Sequence, residues 1–180
     1  FLNSIDPEMA EPVLQEALRL SPEDDPQRAF RMKAVALNLQ ELGRIAEAED
    51  MLSQALKVYK TILGEKDADT LSTMVKLGQL HLAQGKLIEA QELFETALPL
   101  MDEVLEETNF LILESKDNLA EIYRQQGKYS QAEKLFLQSL QGAVAEYGEE
   151  DPLVVQIKSH LAQLYEDTGK LKKALLFHQQ

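Results

Sequence analysis

Three histidines, no cysteine and a large excess of carboxylates are what this chain offers for chemistry. His81, His160 and His178 are scattered, with no H-x-x-x-H or equivalent spacing, so no metal site is expected. No nucleophile elbow or phosphate-cradling glycine loop accompanies them, and neither enzymatic activity nor a cofactor is expected. Polar residues instead recur at fixed distances from four glycines, Gly43, Gly85, Gly127 and Gly169. Nine positions before them stand Ala34, Lys76, Asn118 and His160. Thirteen before stand Phe30, Ser72, Glu114 and Gln156, and six before stand Leu37, Gln79, Glu121 and Gln163. Separations of three and four residues put such side chains on one face of a helix. Amides and charges displayed in that way suit recognition of another molecule rather than bond making.

The elements that carry these faces follow from the glycine spacing. The four glycines lie 42 residues apart, each followed five residues later by alanine, and each preceded by eighteen residues by Asp25, Asp67, Asn109 or Asp151. A strict period in this range marks a repeat array whose units bury their apolar faces only by stacking. Each unit reads as two helices. The third has an apolar stripe over Phe110 to Gln126, a stop at Gly127, then a second helix from about Ser130 to Glu146. The same layout gives Ala29 to Leu42 with Ala46 to Leu63, and Leu71 to Gln84 with Ile88 to Leu105. Glycine suits the stop because the position past a helix end needs positive φ. Asp25-Pro26 and Asp151-Pro152 mark starts, with an N-cap acceptor ahead of proline at the first helical position.

Four segments and a remnant result. Residues 1–24 read as the second helix of a shorter preceding repeat, 25–66, 67–108 and 109–150 as full repeats, and 151–180 as an incomplete last one. Because the chain opens on Phe1 and both ends fall inside repeats, a piece of a longer protein is expected. Ends of this kind are expected to expose Ala10, Leu14 and Leu18 on one side and Leu171, Leu175 and Leu176 on the other, a route to a homodimer.

A net charge of -13 disfavours nucleic acid and anionic membrane as partners, since both are bound through Lys and Arg. Neutral or basic protein partners fit better. The sequence has no apolar run long enough for a spanning helix and no visible signal peptide, which makes an intracellular, cytoplasmic setting the default expectation.

Quoted as they stand, NLAEIYRQQGKYSQAEKLFLQSL and HLAQLYEDTGKLKKALLFH resemble the tetratricopeptide repeat. The small residues at Gly78, Ala120 and Ala162, seven before each glycine, belong to the same pattern. The 42-residue period and the acidic connections Gly64-Glu65-Lys66-Asp67 and Gly148-Glu149-Glu150-Asp151 are similar to kinesin light chain repeats. The resemblance implies an all-α fold, a right-handed superhelical α-solenoid of stacked antiparallel helix pairs. It further implies a scaffold for protein–protein interaction, with first helices lining a concave groove that holds a peptide or partner domain. Its alternatives are self-assembly through the array ends, or a regulatory array joined to a catalytic domain outside this chain.

On that resemblance the groove comprises Ser72, Lys76, Gln79, Glu114, Asn118, Glu121, Gln125, Gln156, His160 and Gln163. Asn118 matches the asparagine with which many family members hold a peptide backbone, a role an amide fills by donating and accepting at once. The groove is mixed in charge, so neither a carboxylate clamp nor a strongly basic groove is expected. His81 and His178 align with aromatic positions and are expected to pack between helices. The acidic runs Glu23-Asp24-Asp25, Glu106-Glu107 and Glu149-Glu150-Asp151 precede first helices, whose N-termini favour negative charge. Pro99, where other units hold Lys57 and Gln141, is expected to bend its helix.

Overall fold

The four helix stops share one backbone geometry. In the computed structural model, which describes residues 6–22 and 25–178, Gly43, Gly85 and Gly127 have φ of 73° and Gly169 has 71°. The N–H after each glycine then reaches back to a carbonyl inside the helix: Arg44 to Leu39, Lys86 to His81, Lys128 to Tyr123 and Lys170 to Tyr165, at 2.8 to 2.9 Å. This closure satisfies a carbonyl that a helix end otherwise leaves unpaired. Nothing lies within 4 Å of where a Cβ would sit on Gly127, so a side chain there would be opposed by backbone conformation alone. Gly127→Ala is expected to lower stability by about 1 kcal/mol in urea unfolding, and Gly127→Asn by less, because asparagine tolerates positive φ.

Starts are equally regular. The side chains of Asp25, Asp67, Asn109 and Asp151 each accept from the backbone N–H two residues on, at 2.9 Å. Pro26 and Pro152 occupy the first helical position, where a missing N–H leaves no bond unmade. Glu23 and Asp24 of the first acidic run lie outside the described residues. In the other two runs, Glu107 and Glu149 pair with Lys116 and Lys158 of the helices that follow, at 3.9 and 2.6 Å. These ion pairs add to the helix-end preference that the sequence predicts.

All elements among the described residues are α-helices. The chain divides into residues 1–80 and 81–180. The first unit holds α1 (Pro7–Arg19), α2 (Pro26–Glu41), α3 (Ile45–Ile62) and most of α4 (Ala68–Ala83). Helix α2 packs on α1 and, more extensively, on α3, burying Ala29, Val35, Ala36, Ala48, Leu52 and Tyr59. Leu18 is buried, and Ala10 and Leu14 are half-buried, where the sequence reading left all three exposed. Packing of α1 on α2 covers that face, and Met9, Val13 and Leu20 are the apolar residues left outside.

The second unit holds α5 (Leu87–Asp102), α6 (Phe110–Gln125), α7 (Tyr129–Tyr147), α8 (Pro152–Asp167) and α9 (Leu171–His178). Helices α6 and α7 form the tightest pair, α7 also packs on α8, and α8 on α9. Their core gathers Ala120, Ala132, Phe136, Ile157, Leu161 and Tyr165. The alanine after each capping glycine, Ala48, Ala90, Ala132 or Ala174, is buried, since a small side chain there lets paired helices approach. Leu171, Leu175 and Leu176 of α9 are exposed, as expected.

Pro99 lies inside a continuous α5 with its ring at the surface. Helix α5 ends at Asp102, a register at which α3 still holds Lys60 and α7 still holds Val144. Proline removes one N–H from the ladder, which weakens the last turn of this helix first.

Candidate functional site

The first helices of successive repeats are tied by side chains one residue before the predicted recognition position. In the second unit this residue is Asp117 of α6, 0% exposed and held from α8 by two partners. Gln156 Nε2 donates to Asp117 Oδ2 at 2.7 Å, and His160 Nδ1 lies 2.9 and 3.1 Å from the two carboxylate oxygens. A fully buried carboxylate persists only when hydrogen-bonded and paired. The His160 ring also packs on Phe136 of α7, with centroids 5.6 Å apart and planes at 40°.

Burial alone would lower the pKa of His160. The hydrogen bond and charge of Asp117, with the charge of Glu121, outweigh burial and the opposing charge of Arg124, so the imidazole holds its proton above its ordinary value. One turn along α6, Arg124 grips Glu121 through two bonds of 2.8 Å and also meets Asp167 at the end of α8. Gln125 Nε2 donates to Glu121 at 2.8 Å. Burial alone would raise the pKa of Glu121, but the Arg124 fork and the Gln125 amide hold the carboxyl below the ordinary range. Arg124 thus pairs two of this face's carboxylates, Glu121 and Asp167, within it.

The structure brings Glu121, Gln125, Gln156 and His160 into these two neighbouring clusters. Gln163 is exposed on α8 and Glu114 half-buried on α6. Asn118 is 9% exposed, and its Nδ2 donates to the Glu114 carbonyl at 2.8 Å. A second amide hydrogen and Oδ1 remain for a ligand, a narrower opening than an unengaged amide would give.

In the first unit, Ser72, Lys76 and Gln79 are half-buried on α4, and Lys76 Nζ donates to Gln79 at 3.0 Å. Lys33 of α2 reaches Asp69 at 3.4 Å and Ser72 at 3.5 Å on α4. Lys33 and Asp117 occupy the same register of their repeats, as do Ser72 and Gln156. One register therefore joins first helices twice, by a lysine in one unit and an aspartate in the other. Phe30 and Leu37 of α2 are exposed. Both ring nitrogens of His81 are buried, in keeping with a packing role, while the His178 side chain lies outside the described residues.

Sequence reasoning missed Asp117, Arg124 and Lys33. The available signal was a polar pair separated by 39 residues, one repeat less one helical turn, as in Lys33 with Ser72 and Asp117 with Gln156. No cluster of potential metal ligands occurs among the described residues, and no helix there is long and apolar enough to cross a membrane.

The fold is shared with known proteins. Among solved structures, a Podosopora anserina protein named for kinesin light chain, with nearly identical TPR-like repeats, matches 96% of this chain and 84% of its own at 21% identity and a TM-score of 0.78. BtubC (BKLC) from P. vanneervenii matches 96% of this chain and 69% of its own at 25% identity, also with a TM-score of 0.78. The apo form of RapI matches 95% of this chain and 58% of its own at 16% identity and a TM-score of 0.76. Among curated proteins, none matches. The family model described as tetratricopeptide repeat matches residues 28–103 and 111–180. With that coverage and the recurring glycine stop, buried alanine and paired helices, the chain belongs to the tetratricopeptide repeat family, and in fold its repeats are of the kinesin light chain type.

Proposed function

We propose that the face shared by α6 and α8 holds an extended stretch of a neutral or basic partner protein. Tetratricopeptide repeats serve in general as scaffolds for protein–protein interaction, typically without catalysis, and the proposal here concerns which surface does so. The observation that carries it is the locking of α6 to α8 through Asp117 and Arg124, which fixes the helices beneath Gln125, Gln156 and Gln163. Amides held by carboxylates, as Gln125 and Gln156 are, can meet peptide groups with less of the ordering cost of mobile side chains. Glu114 adds a carboxylate for a basic side chain of the ligand. Lys76, Ser72 and Gln79 give the first unit a small polar surface of its own on α4.

Affinity capture with the wild-type chain and with Asn118→Ala/Gln163→Ala tests this reading. Both substitutions keep good helix formers, and circular dichroism should show unchanged helicity. A partner that saturates the wild type and binds the variant about tenfold more weakly, the equivalent of one lost hydrogen bond or two, is the expected result. Equal retention by both proteins overturns the assignment.

A further inference from the structure

The second unit carries an exposed aromatic pair that its fold does not require. Phe110 begins α6 at a register where the other repeats hold Pro26, Ala68 and Pro152, residues better suited to a first helical position. Phe110 is 47% exposed, and its ring meets the Tyr147 ring edge-on, with centroids 6.2 Å apart and planes at 71°. Tyr147, 38% exposed, ends α7 where the earlier repeats hold Leu63 and Leu105. Its hydroxyl donates to the Thr108 carbonyl at 3.1 Å, which fixes the ring at the edge of the unit.

Beside the pair lies a cleft of about 350 Å³ lined by Val104, Glu106, Thr108, Asn109, Glu146 and Tyr147. Glu106 and Glu146 are exposed, and among the described residues no basic side chain pairs with either. The neighbouring cations have partners of their own, Lys116 with Glu107 and Lys158 with Glu149. A mostly polar cleft that offers the Val104 side chain and the Tyr147 ring beside two uncompensated carboxylates is complementary to a side chain with an apolar stem and a cationic head.

We propose that this cleft is a docking site for a partner protein that presents an arginine. The guanidinium stacks on the Tyr147 ring, within about 6 Å of its centroid, and bonds to Glu106 or Glu146. Its methylene stem lies along Val104. Arginine fits better than lysine because its planar, weakly hydrated head serves ring and carboxylate together. A second copy of the chain fits poorly, since each copy carries a net charge of -13. The site is built from helix ends and stands independently of the α6/α8 face.

The test is an NMR titration of the 180-residue chain with an eight-residue Gly/Ser peptide carrying two arginines, beside lysine and citrulline versions. Saturable shifts at Phe110, Thr108 and Tyr147, stronger with arginine than lysine and absent with citrulline, are expected. Phe110→Pro/Tyr147→Leu, which restores residues used at these registers by other repeats, should fold and weaken binding about tenfold. Glu106→Gln/Glu146→Gln keeps the aromatic pair and should weaken binding to a similar degree. Shifts spread over the acidic surface with equal midpoints in parent and variants overturn the proposal, as does equal binding of lysine or citrulline peptide. Saturable shifts confined to Gln156 and Gln163 also overturn it, while leaving the α6/α8 reading standing.

Discussion

Phe136→Ala is expected to destabilise the 81–180 unit by about 3–5 kcal/mol, measured by urea unfolding followed by circular dichroism. The ring is fully buried between α6, α7 and α8, among Ala120, Ala132, Ile157 and Leu161, which are too small or too fixed to close the space it leaves. In an array stability sums over neighbouring interfaces, so the loss should appear as an early transition of this unit. Amide hydrogen exchange should accelerate in α7 and α8 while α2 and α3 retain their protection. A single late transition with uniform exchange would show that Phe136 does not hold this part of the core. Phe136 also borders His160, so its removal should perturb the polar tie beside it.

His160→Ala is expected to cost about 3 kcal/mol at pH 6, because it leaves Asp117 buried with only Gln156 as a partner. The effect depends on pH in a defined direction. The folded pKa of His160 lies above the unfolded value of about 6.5, so its contribution is complete below pH 6.5 and is lost as pH rises through the folded value. Wild-type stability minus that of His160→Gln should therefore shrink on going from pH 6 to alkaline pH. Glu121 is no confounder, since its lowered pKa makes its contribution present above the ordinary carboxylate range and lost only as pH falls through the lowered value. A pH-independent difference would mean that His160 acts as a neutral hydrogen-bond donor throughout. The imidazole titration followed by NMR separates the two cases.

Helix stops and starts were legible in the sequence because they depend on local chemistry: Gly127 at positive φ, Asn109 accepting from the N–H of Leu111. The buried alanines were legible through strict periodicity, which also exposed Pro99 as a departure. The bend expected at Pro99 was argued from the proline alone, whereas α5 continues through it to Asp102. Gly142 was passed over for a related reason. A Cβ there would come within 2.7 Å of Leu113 Cδ2, so the glycine serves the close approach of α7 to α6, a contact between elements that no local pattern announces.

The candidate face is proposed through the family resemblance, and its mixed charge is organised by pairings that the sequence did not announce. Arg124 bridges the carboxylates of Glu121 and Asp167. Asn118 looked like an open amide, whereas the Glu114 carbonyl takes one of its hydrogens. Such pairings depend on side-chain directions between stacked helices, which a single sequence does not record.

Joining α2 to α4 by Lys33 and α6 to α8 by Asp117, at one shared register, makes the repeats non-interchangeable. Grafting the Lys33 helix ahead of α8 would set an ammonium where Gln156 and His160 now hold a carboxylate, and the reciprocal graft would take from Asp69 its lysine partner. Either shuffled order would lose the polar pairing that the native joint makes. The order of the repeats is thus keyed by side-chain polarity, although their backbones follow one plan.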